Sequence, residues 1–90
     1  MTKEEILFIL KTDLQICANS YNNYLEKLIE TATAAIEKEG IKLSETIEDG
    51  MLVEMYAAYL YRKRREENAA MPRMLRWQLN NRLFSQKAGE

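Results

Sequence analysis

The chain has 90 residues, a formal net charge of −1, three glycines, one proline, one cysteine and no histidine. This length suits a single domain, and no apolar segment reaches the roughly 18 residues of a membrane-spanning helix. One cysteine excludes an intramolecular disulfide, and the lack of histidine removes the commonest general base and metal ligand. We therefore expect an all-α intracellular protein without a signal peptide, and neither an enzyme nor a protein that binds a metal or cofactor.

Charge is divided unevenly along the chain. Residues 1–61 hold five lysines and eleven acidic residues, a net of −6, whereas residues 62–90 hold eight basic and three acidic residues, a net of +5. Such a polar chain suits either an anionic partner at the basic end or head-to-tail stacking of copies of itself.

The first predicted helix covers residues 3–11. Thr2 and Glu5 form a capping-box pattern at its start, in which each side chain can satisfy the other residue's backbone N–H. Residues 12–20 are expected to form an irregular connection. Within it, Cys17 lacks a histidine for nucleophilic catalysis and a second cysteine for zinc, and it is predicted to be a small buried apolar residue.

The second predicted helix covers residues 21–39. Its apolar side chains fall on one side of a helical wheel, which is the pattern of an amphipathic helix with one buried face. Asn19 or Ser20 is the expected N-cap. Gly40 is a natural left-handed stop at the other end.

The third predicted helix, residues 46–67, is the centre around which the other helices are expected to pack. Every residue from 51 to 61 is apolar or aromatic except Glu54. A helix that is apolar on all sides is normally buried on all sides. Ser44 or Thr46 is its expected N-cap.

An acidic cluster, Glu45, Glu48 and Asp49, lies at the start of this third helix. A divalent-cation site is conceivable there. The spacing matches no calcium loop, however, and compensation of the helix dipole is the favoured explanation. Gly50, which follows, is predicted to be either a weak point or a point of close packing.

Four basic residues, Arg62, Lys63, Arg64 and Arg65, end the central helix. Cations are favourable at a helix C-terminus, so a solvated helix end explains them without any partner. The functional alternative is a contact with nucleic acid or with an acidic protein surface.

The fourth predicted helix, residues 73–86, follows Pro72, which suits the first helical position. The remaining residues, 87–90, are expected to be frayed. The helix carries two apolar stripes roughly 150° apart by the helical period. One comprises Met71, Leu75, Leu79 and Leu83, and the other comprises Trp77 and Phe84. Either three other helices wrap this helix, or the Trp77 stripe meets a neighbouring subunit, since Trp and Arg are favoured interface anchors.

Together these elements predict one all-α domain, residues 1–90, built as a small bundle of about four helices around the central apolar helix. Four stretches then resemble the small head–tail connector (adaptor or head-completion) proteins of tailed bacteriophages and prophages: residues 39–43, 48–49, 55–64 and 71–84. The order of the helices also resembles that family over most of the chain.

The resemblance implies a structural role in the virion and no catalytic residues. Such proteins assemble as a ring, dodecameric on the portal, and can be monomeric in isolation. The ring lies beneath the portal vertex after DNA packaging, extends the DNA channel and attaches the stopper or tail. The implied partners are further copies of the chain, the portal protein, stopper and tail proteins, and DNA that passes through without sequence-specific binding. The implied location is the head–tail interface, reached from the host cytoplasm, with no membrane contact.

Seven residues are the candidates for subunit or portal contacts. They are Arg62, Arg64, Arg65, Arg73, Arg76, Trp77 and Phe84. The principal alternative is a small helical DNA-binding regulator that uses Arg73, Arg76 and Arg82 on a recognition helix, although a sequence pI of about 5.6 is low for such a protein. A helical enzyme subunit or inhibitor is a third possibility.

Overall fold

The computed structural model describes residues 1–66 and 68–89, which form four α-helices and one short 3₁₀ turn. The helices are α1 (Lys3–Leu14), α2 (Asn22–Lys38), α3 (Ile47–Arg65) and α4 (Arg73–Ala88). The predicted all-α bundle of four helices is confirmed: 76% of the described residues are helical and none of them forms a strand. None of these helices combines the length and low polarity needed to cross a bilayer.

The capping box at the start of α1 is confirmed. The Glu5 amide donates to Thr2 Oγ1 at 3.1 Å, and the Thr2 amide donates to Glu5 Oε1 at 3.0 Å. The helix continues to Leu14, three residues beyond its predicted end, and stops at Gln15 in the left-handed region with φ 58°. It continues because Leu10 is fully buried and Leu14 packs against the core, which outweighs the turn preference of the residues between them.

The predicted caps of α2, Asn19 and Ser20, were wrong. These two residues belong to the 3₁₀ turn Asn19–Tyr21, which leads directly into the helix. Tyr21 occupies the N-cap position and offers no side-chain hydrogen bond. At the other end the prediction is confirmed, because Gly40 has φ 101° and lies in the left-handed region.

Thr46, one of the two predicted caps, begins α3 by accepting a hydrogen bond from the Asp49 amide at 3.2 Å. Gly50 is a point of close packing: a Cβ atom there would lie 2.6 Å from Met1 Cβ. The helix ends at Arg65. The predicted final residue of this helix, Glu67, lies outside the described residues.

The central position of α3 is confirmed, since α1, α2 and α4 all pack against it. Every residue from 51 to 61 is buried or partly buried. The core combines side chains from all four helices with Ile41 of the link between α2 and α3. Its fully buried large members are Leu10, Leu25, Ile36, Ile41, Leu75 and Leu79.

Helix α4 begins at Arg73, as predicted, but Pro72 is its N-cap and not its first helical residue. With φ −57° and ψ 141° the proline is extended, so the helix begins after it. The helix runs to Ala88, two residues past the predicted end. Lys87 and Ala88, predicted to be frayed, are therefore helical, and Glu90 lies outside the described residues.

Candidate functional site

Helix α4 has a core face and a solvent face. Leu75 and Leu79 are buried in the core, and Met71 and Leu83 pack against it, as the first predicted stripe requires. On the solvent side, Met74, Trp77 and Phe84 are 58%, 60% and 73% exposed. These three residues, which we call the outer face of α4, lie along one side of the helix because their spacings of three and seven residues are close to whole turns.

An open groove of about 690 Å³ runs between α4 and the first turns of α3, and Trp77 forms part of its wall. Ile47 and Met51 line the groove from the α3 side, and Ile47 is itself largely exposed. The apolar surface around Trp77 therefore extends from α4 onto α3. A surface that joins several large apolar side chains in this way is typical of an interaction site.

A buried ion pair fixes α4 against α3. Arg82 Nε donates to Asp49 Oδ1 at 2.8 Å and Arg82 Nη2 donates to Oδ2 at 3.1 Å. The amide and hydroxyl of Ser44 donate to the same carboxylate at 2.8 and 2.9 Å. Burial alone raises the pKa of the Asp49 carboxyl, but the bonds from Arg82 and Ser44 together outweigh burial and lower this pKa below its usual value.

A second ion pair joins α4 to the residue that ends α2. Arg76 Nη1 and Nη2 donate to the two carboxylate oxygens of Glu39 at 2.8 and 3.1 Å. The hydrogen bond to Glu39 raises the pKa of the Arg76 guanidinium. Arg76, a predicted interface residue, is therefore engaged within the subunit, whereas Arg73 is exposed on the same helix.

The basic end of α3 is an exposed surface on which three cations lie over aromatic rings. Lys63 lies 5.8 Å from the centre of the Tyr59 ring, Arg64 lies 5.8 Å from that of Tyr24, and Arg65 lies 4.7 Å from that of Tyr61. Arg62 Nη2 is 4.0 Å from Asp13 Oδ1 of α1. The predicted candidates Arg62, Arg64 and Arg65 thus share one end of the molecule and keep their charges at its surface.

Glu54 is a buried carboxylate that was not among the predicted site residues. This side chain is 2% exposed in the middle of α3, and its Oε1 atom has no hydrogen-bond partner among the described residues. Burial, together with a hydrogen bond to Asp13 and the charge of that residue, raises the pKa of Glu54 to about 7. The signal in the sequence was a single carboxylate within eleven otherwise apolar residues.

A second apolar surface lies on α1 and the chain that follows it. A groove of about 530 Å³ is lined by Phe8, Lys11, Thr12, Gln15, Ile16 and Cys17, and we call it the α1 groove. Phe8 is 72% exposed. Cys17 is also exposed, so the prediction that it is buried was wrong. The left-handed turn at Gln15 ends the helix before Cys17 and leaves this thiol at the surface.

The three residues of the acidic cluster do not converge. Asp49 turns inward to Arg82, whereas Glu45 and Glu48 remain exposed. Nowhere in residues 1–66 and 68–89 do three His, Cys, Asp or Glu side chains come close enough to hold a metal ion.

Six of the seven predicted interface residues thus fall into two surfaces: Arg73, Trp77 and Phe84 on the outer part of α4, and the three arginines at the basic end of α3. The seventh, Arg76, is paired with Glu39. Comparisons with protein families, with curated proteins and with solved structures return no match to this chain.

Proposed function

We propose that this protein is a structural subunit that self-associates, and that it serves as a head–tail connector of a tailed bacteriophage or prophage. The single observation that supports self-association is that the apolar outer face of α4 is exposed to solvent in one subunit. The proposal that it assembles at the head–tail interface is supported by the resemblance to connector proteins, which involves residues 39–43, 48–49, 55–64 and 71–84.

The outer face has the composition of an interface centre. It combines a tryptophan, a phenylalanine and a methionine, residue types that are enriched at such centres. Aromatic anchors of this kind supply much of the binding energy when a partner removes them from water. The energetic gain from covering this face favours a stable contact with another subunit.

The rigidity of α4 also supports an interface role. The bidentate pairs Arg82–Asp49 and Arg76–Glu39 hold the helix at two points six residues apart. The Gln86 side chain adds bonds to the Gly40 carbonyl and the Lys42 amide, at 2.8 and 2.7 Å. A face held in place before binding loses less conformational entropy on association.

The finer parts of the proposal are supported by the resemblance alone. They are a ring beneath the portal, contacts with the portal and with stopper or tail proteins, and DNA that passes through the ring without sequence-specific binding. In this proposal the protein is made in the host cytoplasm and becomes part of the virion at the head–tail interface.

The geometry does not favour the alternative of a DNA-binding regulator. Two of its three proposed recognition residues, Arg76 and Arg82, hold carboxylates of their own subunit. Arg82 also donates to the Lys42 carbonyl at 2.8 Å. To reach base edges these arginines would have to break the contacts that position α4.

Electron microscopy of an induced lysate from a strain that lacks this gene tests the proposal. Tail-less heads, many of them empty, beside free finished tails are the expected result. Expression of the unchanged chain in trans should restore virions. A chain with Trp77→Asp should fail to do so, although it folds, and the control Glu37→Gln should succeed. Intact virions from the deletion strain would overturn the proposal.

A further inference from the structure

We propose that the outer face of α4 in one copy of the chain docks into the α1 groove of a second copy. This inference rests on the self-association in the proposed function and names the two surfaces that meet. The outer face and the α1 groove are separate apolar surfaces on different helices, and each leaves an aromatic side chain exposed, Trp77 on one and Phe8 on the other. When the outer face of one copy docks into the α1 groove of another, both aromatic side chains are covered.

Charge argues against contact between two copies of α4. This helix carries four basic residues, Arg73, Arg76, Arg82 and Lys87, and no acidic residue. Arg76 and Arg82 are paired with Glu39 and Asp49. Arg73 and Lys87, however, are exposed, so two outer faces packed together would bring the exposed cations of both copies close to one another, which is unfavourable. The exposed cations at the ends of the outer face therefore favour a partner surface that offers an acidic residue.

Beside the α1 groove, Glu4 supplies such a charge, whereas Lys11, the charged residue of the groove lining, donates to Asn19. Glu4 lies one turn before Phe8 on the same side of α1, is exposed, and has no ion-pair partner among the described residues. On α4, Arg73 and Lys87 stand at the two ends of the outer face and are exposed. Either cation can pair with Glu4 when the aromatic residues meet.

The α1 groove is preformed. After the left-handed Gln15, Ile16 and Cys17 line the groove together with Phe8, and the Ile16 amide donates to the Lys11 carbonyl at 2.9 Å. Lys11 Nζ also donates to Asn19 Oδ1 at 3.1 Å, and this bond joins α1 to the segment that connects α1 with α2. A volume of about 530 Å³ lies within the range of pockets that accommodate a small-molecule ligand, so it suffices for an aromatic side chain.

Such a contact is heterologous, because different surfaces of the two copies meet. The growing oligomer then always presents one free outer face and one free α1 groove, and assembly continues until the rotation between neighbours closes a ring. The uneven division of charge along the chain agrees with this arrangement, since the basic α4 follows the acidic first two thirds.

A mixing experiment with two single variants tests the proposal. Phe8→Asp disables only the groove, and Trp77→Asp disables only the outer face. Analytical ultracentrifugation should show that each variant alone has lost self-association, with a dissociation constant at least about tenfold above that of the unchanged chain. An equimolar mixture should form a dimer of one Phe8→Asp chain and one Trp77→Asp chain, and nothing larger, since each contributes its one intact surface. Tyr21→Asp, which removes an exposed aromatic residue outside both surfaces, is the control and should assemble normally.

The outcomes separate this inference from the proposed function. If Phe8→Asp assembles like the unchanged chain while Trp77→Asp does not, the α1 groove is the wrong partner, although self-association through α4 stands. If the unchanged chain stays monomeric up to millimolar concentration, the docking of α4 into the α1 groove is overturned, whereas the connector function, which allows a monomer in isolation, is decided by the deletion strain. A mixture that remains monomeric also overturns the inference.

Crosslinking gives a second test that does not depend on an aspartate substitution. A chain with Met74→Cys and Cys17→Ser is mixed with the unchanged chain, whose single thiol, Cys17, lines the α1 groove. A short bismaleimide should join the two chains. The Met74→Cys and Cys17→Ser chain alone should give no crosslinked dimer, and a dimer there would show two outer faces in contact and overturn the inference.

Discussion

Arg82 of α4 and the buried carboxylate of Asp49 on α3 form a bidentate pair, with N–O distances of 2.8 and 3.1 Å. Asp49 is almost completely buried and Arg82 is three quarters buried, so water screens the pair poorly. The same carboxylate accepts two bonds from Ser44, and the same guanidinium donates to the Lys42 carbonyl. One ion pair therefore joins α4, the link after α2 and the start of α3, and it sets the direction in which the outer face of α4 points.

The substitution Asp49→Asn should lower the free energy of unfolding by about 2–4 kcal/mol, because it leaves a partly buried guanidinium without its counter-charge. Urea denaturation of the monomer at neutral pH measures this loss. Glu48→Gln, at the exposed neighbouring position, is the control and should change stability by less than about 0.5 kcal/mol. Equal effects of the two substitutions would show that Asp49 acts only on the helix dipole.

The effect of Asp49→Asn should also depend on pH. The folded-state pKa of Asp49 is lowered from its ordinary 3.8, so this group stabilises the fold above pH 3.8. Its contribution is lost as the pH falls through the lowered folded-state pKa. The stability difference between the unchanged chain and the variant should therefore shrink in acid, and denaturation measured from pH 6 downward checks this. A difference that stays constant or grows in acid would contradict the assignment.

Arg76→Gln should cost less than Arg82→Gln. The Arg76–Glu39 pair is about one third exposed or more on both sides, and exposed ion pairs contribute about 1 kcal/mol or less. Parallel urea denaturation of the two variants measures the difference directly. If Arg76→Gln destabilises the monomer as much as Arg82→Gln, the Glu39 pair is less screened by water than its exposure indicates.

Local signals in the sequence were enough to predict the helices. The capping box of Thr2 and Glu5, the left-handed Gly40 and the apolar residues 51–61 act within a few residues along the chain, so one sequence reveals them. The stripe containing Leu75 and Leu79 was likewise readable from the helical period and is buried. These features determine which faces of the helices form the core, and the stripe of Trp77 and Phe84 therefore faces solvent.

Long-range partners could not be predicted in the same way. Asp49 looked like one of three acids that compensate a helix dipole, because its partner Arg82 is 33 residues away in the sequence. The exposure of Cys17 follows from a left-handed turn at a glutamine, a conformation for which non-glycine residues give little signal. The sequence thus indicated which residues are unusual but not which surface each one occupies.

Trp77→Ala and Leu79→Ala should differ in how far they lower the stability of the monomer, although they lie two residues apart on α4. Leu79 is 1% exposed, and its truncation should lower the free energy of unfolding by about 2–5 kcal/mol by leaving a cavity. Trp77 is mostly exposed, so its truncation should cost the monomer less than about 1 kcal/mol. Thermal and urea denaturation in dilute solution measure both. If Trp77→Ala unfolds the monomer, the outer face is part of the core and the interface proposal fails.

The buried Glu54 should make the unchanged chain less stable as pH rises from about 4.5 to 7. The pKa of this carboxyl is raised to about 7 in the folded protein, from 4.5 in the unfolded chain, by burial and by Asp13. Between these values the unfolded chain has released the proton while the folded chain still holds it, so rising pH favours unfolding. Arg62, which lowers this pKa, only partly offsets the effect.

Glu54→Gln removes this titration, because the amide stays neutral at every pH. The variant should match the unchanged chain near pH 4 and exceed its stability above pH 7, by up to about 3 kcal/mol. Urea denaturation at several pH values measures both profiles, and Glu37→Gln, at an exposed position of α2, should leave the profile unchanged. Parallel profiles for the unchanged chain and Glu54→Gln would mean that Glu54 is ionised in the folded protein, with Arg62 rather than Asp13 as its dominant neighbour.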